Sequence, residues 1–177
     1  MVNQYENLNV TSHTYKGTTA LKGSKKFNSG NSSIDAFAKS NLRAHAKAPG
    51  NAVTVLLDND NDKNLVGYVT IVAHTLSKSE LEKSPFNIGK TPAIPVVKLN
   101  MLGVSSDYQK KGFGLELMRL ALNNTKQVCE LIGCAGLYLE AAPDAIKFYS
   151  GLGFESLSPP NKESGIMPMF LHVDMIP

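Results

Sequence analysis

The chain holds two cysteines, Cys129 and Cys134. They are too few for a disulfide framework, and their spacing fits neither a metal knuckle nor a redox pair. Both are expected as reduced packing residues. No apolar run approaches the roughly 20 residues that a membrane span needs. The opening Met1-Val2-Asn3-Gln4-Tyr5-Glu6 lacks a basic stretch followed by an apolar one, so no signal peptide is expected and the location is read as cytoplasmic. No internal repeat and no long low-complexity linker interrupts the chain. His13, His45, His74 and His172 are scattered without ligand spacing, and no metal is expected. The acidic turn Asp58 to Lys63 lacks the glycine and the distant bidentate Glu of a calcium loop.

What is present is ordinary. The 177 residues, 42% hydrophobic and 19% charged, suit a single globular domain spanning residues 1–177 with its own core. A net charge of +3 tolerates an anionic partner without demanding one. Thr11 to Gly30 reads as a polar loop. Ser33 to Lys47 reads as a helix, with Ile34, Phe37, Ala38 and Leu42 at helical spacing, Ser32 or Ser33 as its cap, and Pro49-Gly50 as its stop. Ala52 to Leu57 and Leu65 to Ala73 form a hairpin around the acidic turn. Leu76 to Pro95 is a long connection with room for a short helix around Ser77 to Lys83. Val96 to Val104 is a strand, and Gly103 near its end suggests a bulge or a close backbone approach. Phe113, Leu117, Leu120, Val128 and Leu131 mark one face of a long helix ending at Gly133. Leu137 to Ala141 (strand), Asp144 to Ser150 (helix), Phe154 to Leu157 and Met169 to Met175 (strands) complete a mixed α/β order.

The turn Gln109-Lys110-Lys111-Gly112-Phe113-Gly114 lies between the strong strand and the long helix. Glycines let several backbone N–H groups converge, and a helix start favours negative charge. Together they make a phosphate cradle. A Rossmann fingerprint fails, because its third glycine would fall on Leu117. A Walker loop fails as well, because Leu115-Glu116 follows Gly114 where Lys-Ser or Lys-Thr is required.

Gln109, Gly112 and Gly114 match the acyl-CoA loop pattern of the GNAT acetyltransferase family. Downstream, Ala145-Ile146-Lys147-Phe148-Tyr149 followed by Leu152-Gly153-Phe154 matches its second signature. The chain therefore resembles that family from Leu65 to Leu157. The resemblance implies the GNAT acyl-CoA N-acyltransferase fold, a mixed, mostly antiparallel twisted sheet flanked by helices. It implies acetyl-CoA as co-substrate, with Leu102, Gly103 and Val104 beside the pantetheine. Lys110, Lys111, Gly112, Phe113 and Gly114 would hold the pyrophosphate, with Gln109 and Phe148 also in the cofactor site. Tyr149 would protonate the departing thiolate, its phenol pKa taken as near 10. The general base is Glu140 or a water chain.

A narrower likeness is carried by Phe27-Asn28-Ser29-Gly30-Asn31, Ile34-Asp35-Ala36-Phe37 and Val104 to Gln109. These are similar to GNAT toxins of toxin–antitoxin modules, which acetylate aminoacyl-tRNA. That likeness implies tRNA and an antitoxin protein as partners, and a homodimer as the assembly. Lys39, Arg43 and Lys47 recur every four residues and would form the basic stripe that meets RNA. The chain departs from the toxins at Asn100-Met101, where they carry Gly-Arg, and at Ser29, where they often carry Cys. Two other readings stay open: a GNAT acting on a small-molecule, peptide or protein amine, and a non-catalytic CoA-binding module.

Overall fold

The computed structural model describes residues 8–81 and 92–177. The N-terminal hexapeptide and part of the expected 76–95 connection lie outside the described residues. Strands β1 (Val10–Thr14), β2 (Asn51–Asp58), β3 (Asn64–Ser77), β4 (Ala93–Val104), β5 (Gly136–Ala141), β6 (Glu155–Ser156) and β7 (Met167–His172) form one sheet in the order β1-β2-β3-β4-β5-β7-β6. The β1–β2, β5–β7 and β6–β7 pairs are antiparallel, and the β4–β5 pair is parallel. Helices α1 (Ser32–Ala36), α2 (Leu42–Lys47), α3 (Phe113–Ile132) and α4 (Ile146–Gly151) accompany it. Packing divides the chain into two compact units. One holds the described residues up to Ile71 with Met101–Ala121, and the other holds those of Val72–Asn100 with Leu122–Pro177.

In the first unit the expected helix forms from Ser32 to Lys47, with a π-helical turn at Phe37–Asn41 inside it. Its cap is Asn31, not a serine: the side chain accepts from the N–H groups of Ser33 and Ile34 at 3.1 and 3.2 Å. Tyr68 is fully buried beneath this helix, between Phe27 and Phe37, and its hydroxyl donates to Ile34 O at 2.7 Å. The stretch read as a loop contains β1, an edge strand paired with β2. Four of its five residues are exposed, so it carries no apolar alternation to betray it.

Gly103 does mark a close approach. A Cβ there would lie 2.4 Å from Ile34 Cγ2. Gly67 is held on the neighbouring strand, where a Cβ would lie 2.7 Å from Gly103 O and 3.1 Å from Leu117 Cδ1. The N–H of Met101 donates to the hydroxyl of buried Thr70 at 3.1 Å, so β4 takes a side-chain acceptor just before that approach.

In the second unit the parallel pairing of β4 with β5 is short. It joins Val97, Lys98 and Leu99 to Leu137, Tyr138 and Leu139, although β4 runs on to Val104 and β5 to Ala141. The long helix spans the expected residues, but its buried stripe runs through Leu117, Ala121, Thr125 and Cys129. Leu131 is 83% exposed and lies off the stripe. Cys129 and Cys134 are buried as expected, but they are joined as a disulfide and not reduced. The reason is local: the helix stops at Ile132, and Gly133 turns left-handed (φ 75°) with its N–H on Cys129 O. That reversal brings the two Cα atoms to 4.4 Å.

Gly67→Ala is expected to destabilise the protein, because the atom it would strike at 2.7 Å is backbone. The cost is about 1–3 kcal/mol, or roughly 3–10 °C in Tm. Gly114→Ala meets nothing within 4 Å and is expected to leave Tm unchanged. Thermal melts of the two variants check both.

Candidate active site

The glycine turn belongs to the first unit. Lys110 and Gly112 both take left-handed backbone (φ 60° and 86°), and α3 opens at Phe113. Alternating handedness of this kind curls successive N–H groups into a concavity, and a helix start adds its dipole. Within it, the Glu116 N–H closes onto Gly112 O at 3.1 Å. The Glu116 carboxylate is held by the Arg119 guanidinium through two contacts, at 2.6 and 2.8 Å, which balances the acidic charge in the helix's first turn. Gly114 has open space where a side chain would be. An anion is the ligand such a turn accepts best.

Gln109 has a mechanical role. Its Nε2 donates to Ser29 O at 2.7 Å and to Val104 O at 3.0 Å. It thereby ties the turn both to the end of β4 and to the Phe27–Asn31 segment. Ser106 N–H adds a bond to Asn28 O at 2.7 Å. The Ser29 N–H and hydroxyl both donate to buried Asp35, at 2.6 and 2.7 Å. Two motifs that lie about 80 residues apart in the chain thus form one hydrogen-bonded body.

Tyr108 went unnoticed in the sequence beyond its place in a motif. It is buried, its hydroxyl donates to the equally buried carboxylate of Asp58 at 2.8 Å, and it accepts from Asn61 Nδ2 at 3.3 Å. Burial pushes its phenol pKa up. Lys111 folds over its ring, 5.5 Å from the centroid, and donates to Asp107 O at 2.9 Å. The acidic turn between β2 and β3 is therefore the footing of the glycine turn. A sequence signal existed in the uncompensated acidity of 58–62, but nothing in it pointed to Tyr108.

The second unit carries Tyr149 and Glu140. Helix α4 ends in a Schellman cap: Phe154 N–H returns to Tyr149 O and Gly153 N–H to Ser150 O, both at 3.1 Å, with Gly153 left-handed at φ 91°. The Phe154 ring meets the Tyr149 ring edge-to-face at 5.6 Å, and Phe148 does the same at 5.2 Å. The Leu152-Gly153-Phe154 signature is thus the lock that fixes Tyr149. Burial, with the Asp144 charge as a lesser cause, pushes the Tyr149 phenol up to about 12. That is above the value near 10 expected from an ordinary tyrosine. Among the described residues nothing hydrogen-bonds to its hydroxyl. Glu140 is half-exposed and paired with Lys98 at 2.7 Å, the lysine that faces Tyr138 across the β4–β5 pair.

The basic stripe is unevenly available. Arg43 is spent on the Gly17 and Thr18 carbonyls, at 3.1 and 3.2 Å, whereas Lys47 is exposed and Lys39 half-buried.

The family model described as an acetyltransferase (GNAT) domain matches residues 32–175. The chain belongs to the GNAT acetyltransferase family. Among solved structures, one described as a bacterial toxin is 33% identical, with a TM-score of 0.90 over 96% of this chain and 94% of that one. Two more share the fold. The AtaTR complex bound with acetyl-CoA is 23% identical, with a TM-score of 0.78 over 94% of this chain and 95% of that one. AtaT complexed with acetyl-methionyl-tRNAfMet is 22% identical, with a TM-score of 0.76 over 95% and 97%. Among curated protein sequences none matches significantly. No helix among the described residues is long and apolar enough to cross a membrane.

In this GNAT chain Tyr108→Phe removes the donor to Asp58 and is expected to loosen the turn. Stability should fall by about 1.5–3 kcal/mol, since a buried carboxylate loses its partner. The KM for acetyl-CoA should rise while kcat stays within about twofold, the pattern of a lost binding contribution. Steady-state kinetics beside a thermal melt check the split.

Proposed function

We propose that the protein transfers the acetyl group of acetyl-CoA to the α-amino group of aminoacyl-tRNA, as the toxin of a toxin–antitoxin pair. The observation that carries this reading is the 33% identity to a solved bacterial toxin across nearly the whole of both chains. AtaT, which shares the fold, is known in complex with acetyl-methionyl-tRNAfMet and with its antitoxin's C-terminus. On this reading the turn 109–114 holds the pyrophosphate and the backbone of Leu102, Gly103 and Val104 meets the pantetheine arm. Phe148 lies in the same cofactor site, and Lys39, Arg43 and Lys47 face the RNA. A homodimer and an antitoxin partner belong to the same proposal.

The amine nitrogen attacks the thioester carbonyl carbon, the C–S bond breaks, and the electron pair leaves on sulfur. Holding the two reactants together supplies much of the rate. The attacking nitrogen gives up its proton to Glu140 or through a water chain. Tyr149 faces the sulfur's developing charge. With a pKa of about 12 it stays protonated at every working pH. A thiolate near 8.5 in water is a weaker base than that phenolate, so Tyr149 acts first as a hydrogen-bond donor and only secondarily as a full proton donor. A leaving thiolate in desolvated surroundings is raised by the same physics, which narrows the gap.

Tyr149→Phe keeps the ring that packs on Phe148 and Phe154 and removes only the hydroxyl. It should lower kcat about 10²–10³-fold with acetyl-CoA binding unchanged. Wild-type kcat/KM should rise as the acceptor amine, near 8, loses its proton. It should then stay flat to pH 10, because the raised Tyr149 pKa lies above that window. A fall below pH 10 would rule Tyr149 out as the essential acid. Cell-free translation should stop only when acetyl-CoA is present. If charged tRNA is left unacetylated while free amines or peptides are modified, the acceptor reading fails.

A further inference from the structure

A cleft of about 720 Å³ lies within the second unit, on the face of β5 that carries Tyr138 and Glu140. Its remaining walls are Ser79 and Glu80 after β3, and the chain between Leu157 and Pro168. That volume is in the range of small-molecule sites. Among the described residues the lining contains no lysine or arginine. Its two carboxylates are not equivalent. Glu140 is neutralised by Lys98 at 2.7 Å. Tyr138 is buried with its pKa pushed up to about 12, by burial first and by the Glu140 charge next, so its phenol remains a donor.

Glu80 is different. Its Oε2 accepts from the Ser77 N–H at 2.8 Å and the Ser77 hydroxyl at 2.6 Å, a capping box that fixes the side chain. Those bonds hold its carboxyl below the usual range. Among the described residues no lysine or arginine pairs with it, and His74, stacked on Tyr138, adds only the smallest of the attractions that lower its pKa. The cleft therefore keeps one preorganised carboxylate, free of any ion pair with a described lysine or arginine, beside the apolar surfaces of Leu157, Ile166 and Pro168. Phosphates would meet the Glu80 carboxylate and a Lys98 already paired with Glu140, so the CoA phosphates and the RNA backbone are the wrong ligands for it.

We infer that this cleft receives the acceptor's amino end as an ammonium, that Glu80 recognises it, and that acceptors with uncharged side chains are selected over acidic ones. The inference rests on the acetyl-transfer reading and adds its acceptor specificity. The ammonium docks against Glu80 and gives one proton to solvent before attack, so the neutral amine is the species that reacts; the apolar body lies on Leu157 and Ile166. An acidic side chain would bring a like charge beside Glu80 into a lining that holds no lysine or arginine among the described residues to offset it.

The test uses the intact protein with isoleucine methyl groups labelled for NMR, Ile166 being assigned by Ile166→Val. The probes are methioninamide (cationic), N-acetylmethioninamide (the same body without the charge) and isoglutamine, whose side chain is acidic. Methioninamide should shift Ile166 saturably, and the other two should bind at least fivefold more weakly. Glu80→Gln keeps the acceptor that Ser77 needs, so Tm and acetyl-CoA affinity should hold. Methioninamide binding, and kcat/KM for charged tRNA, should fall about fivefold, the upper end for a partly exposed ion pair. Equal binding of the charged and acetylated amides, or an unmoved Ile166, overturns the inference. The two readings fail separately. If translation is inhibited but Glu80→Gln works on charged tRNA at the wild-type rate, the cleft assignment falls and the RNA reading stands. If translation is untouched while Ile166 responds to methioninamide and Glu80→Gln weakens that response, the RNA reading falls and the cleft stands.

Discussion

The three-residue parallel pairing of β4 with β5 is the constraint on which the rest turns. A strand of twelve residues that spends only Val97, Lys98 and Leu99 on β5 carries its later residues forward without that partner. Backbone N–H and C=O groups do not stay idle, so each must find another acceptor, donor or ligand. Met101 finds Thr70, and Ser105 finds Val66 O. The close approach of Gly67 and Gly103 follows, because β4 runs on against β3 and beneath Ile34 with no room for a Cβ. The glycine turn is placed by where that strand ends.

Signature residues in this chain act as fasteners as well as reagents. Gln109 spends its amide on two carbonyls and joins the turn to Ser29. Gly153 and Phe154 close the Schellman cap that holds Tyr149 at its helix end. A residue that makes such bonds is needed for geometry whether or not it touches a ligand, and geometry within about half an ångström is what a transfer site requires.

Charge is arranged in opposite senses in the two units. Around the turn, the carboxylates are occupied: Asp58 by Tyr108, Asp35 by Ser29 and Glu116 by Arg119. An anion arriving there finds these three carboxylates already engaged. In the second unit Glu80 has no ion pair with a described lysine or arginine, and buried phenols at Tyr138 and Tyr149 stay protonated well above neutrality. The first arrangement suits phosphate, and the second suits an amine.

Much of this was legible in the residues. Helical spacing found the helix from Ser33 to Lys47 and α3, and the glycine turn could be read as an anion cradle because its failures as Rossmann and Walker loops were visible. Two spaced signatures then named the GNAT family. Other features left no trace in the order of residues. An exposed edge strand such as β1 has no buried face to impose alternation. The Cys129–Cys134 bond depended on a left-handed Gly133 folding the chain back on itself. The footing of Tyr108 on Asp58 spans 50 positions, and the clamp of Gln109 on Ser29 spans 80. Local chemistry by itself determined which segments could be helix, strand and cradle. Only the tertiary structure decided which of them share hydrogen bonds, which carboxylates are neutralised, and how far burial moves a tyrosine. Those quantities depend on neighbours in space, and the chain supplies such neighbours only once it has folded.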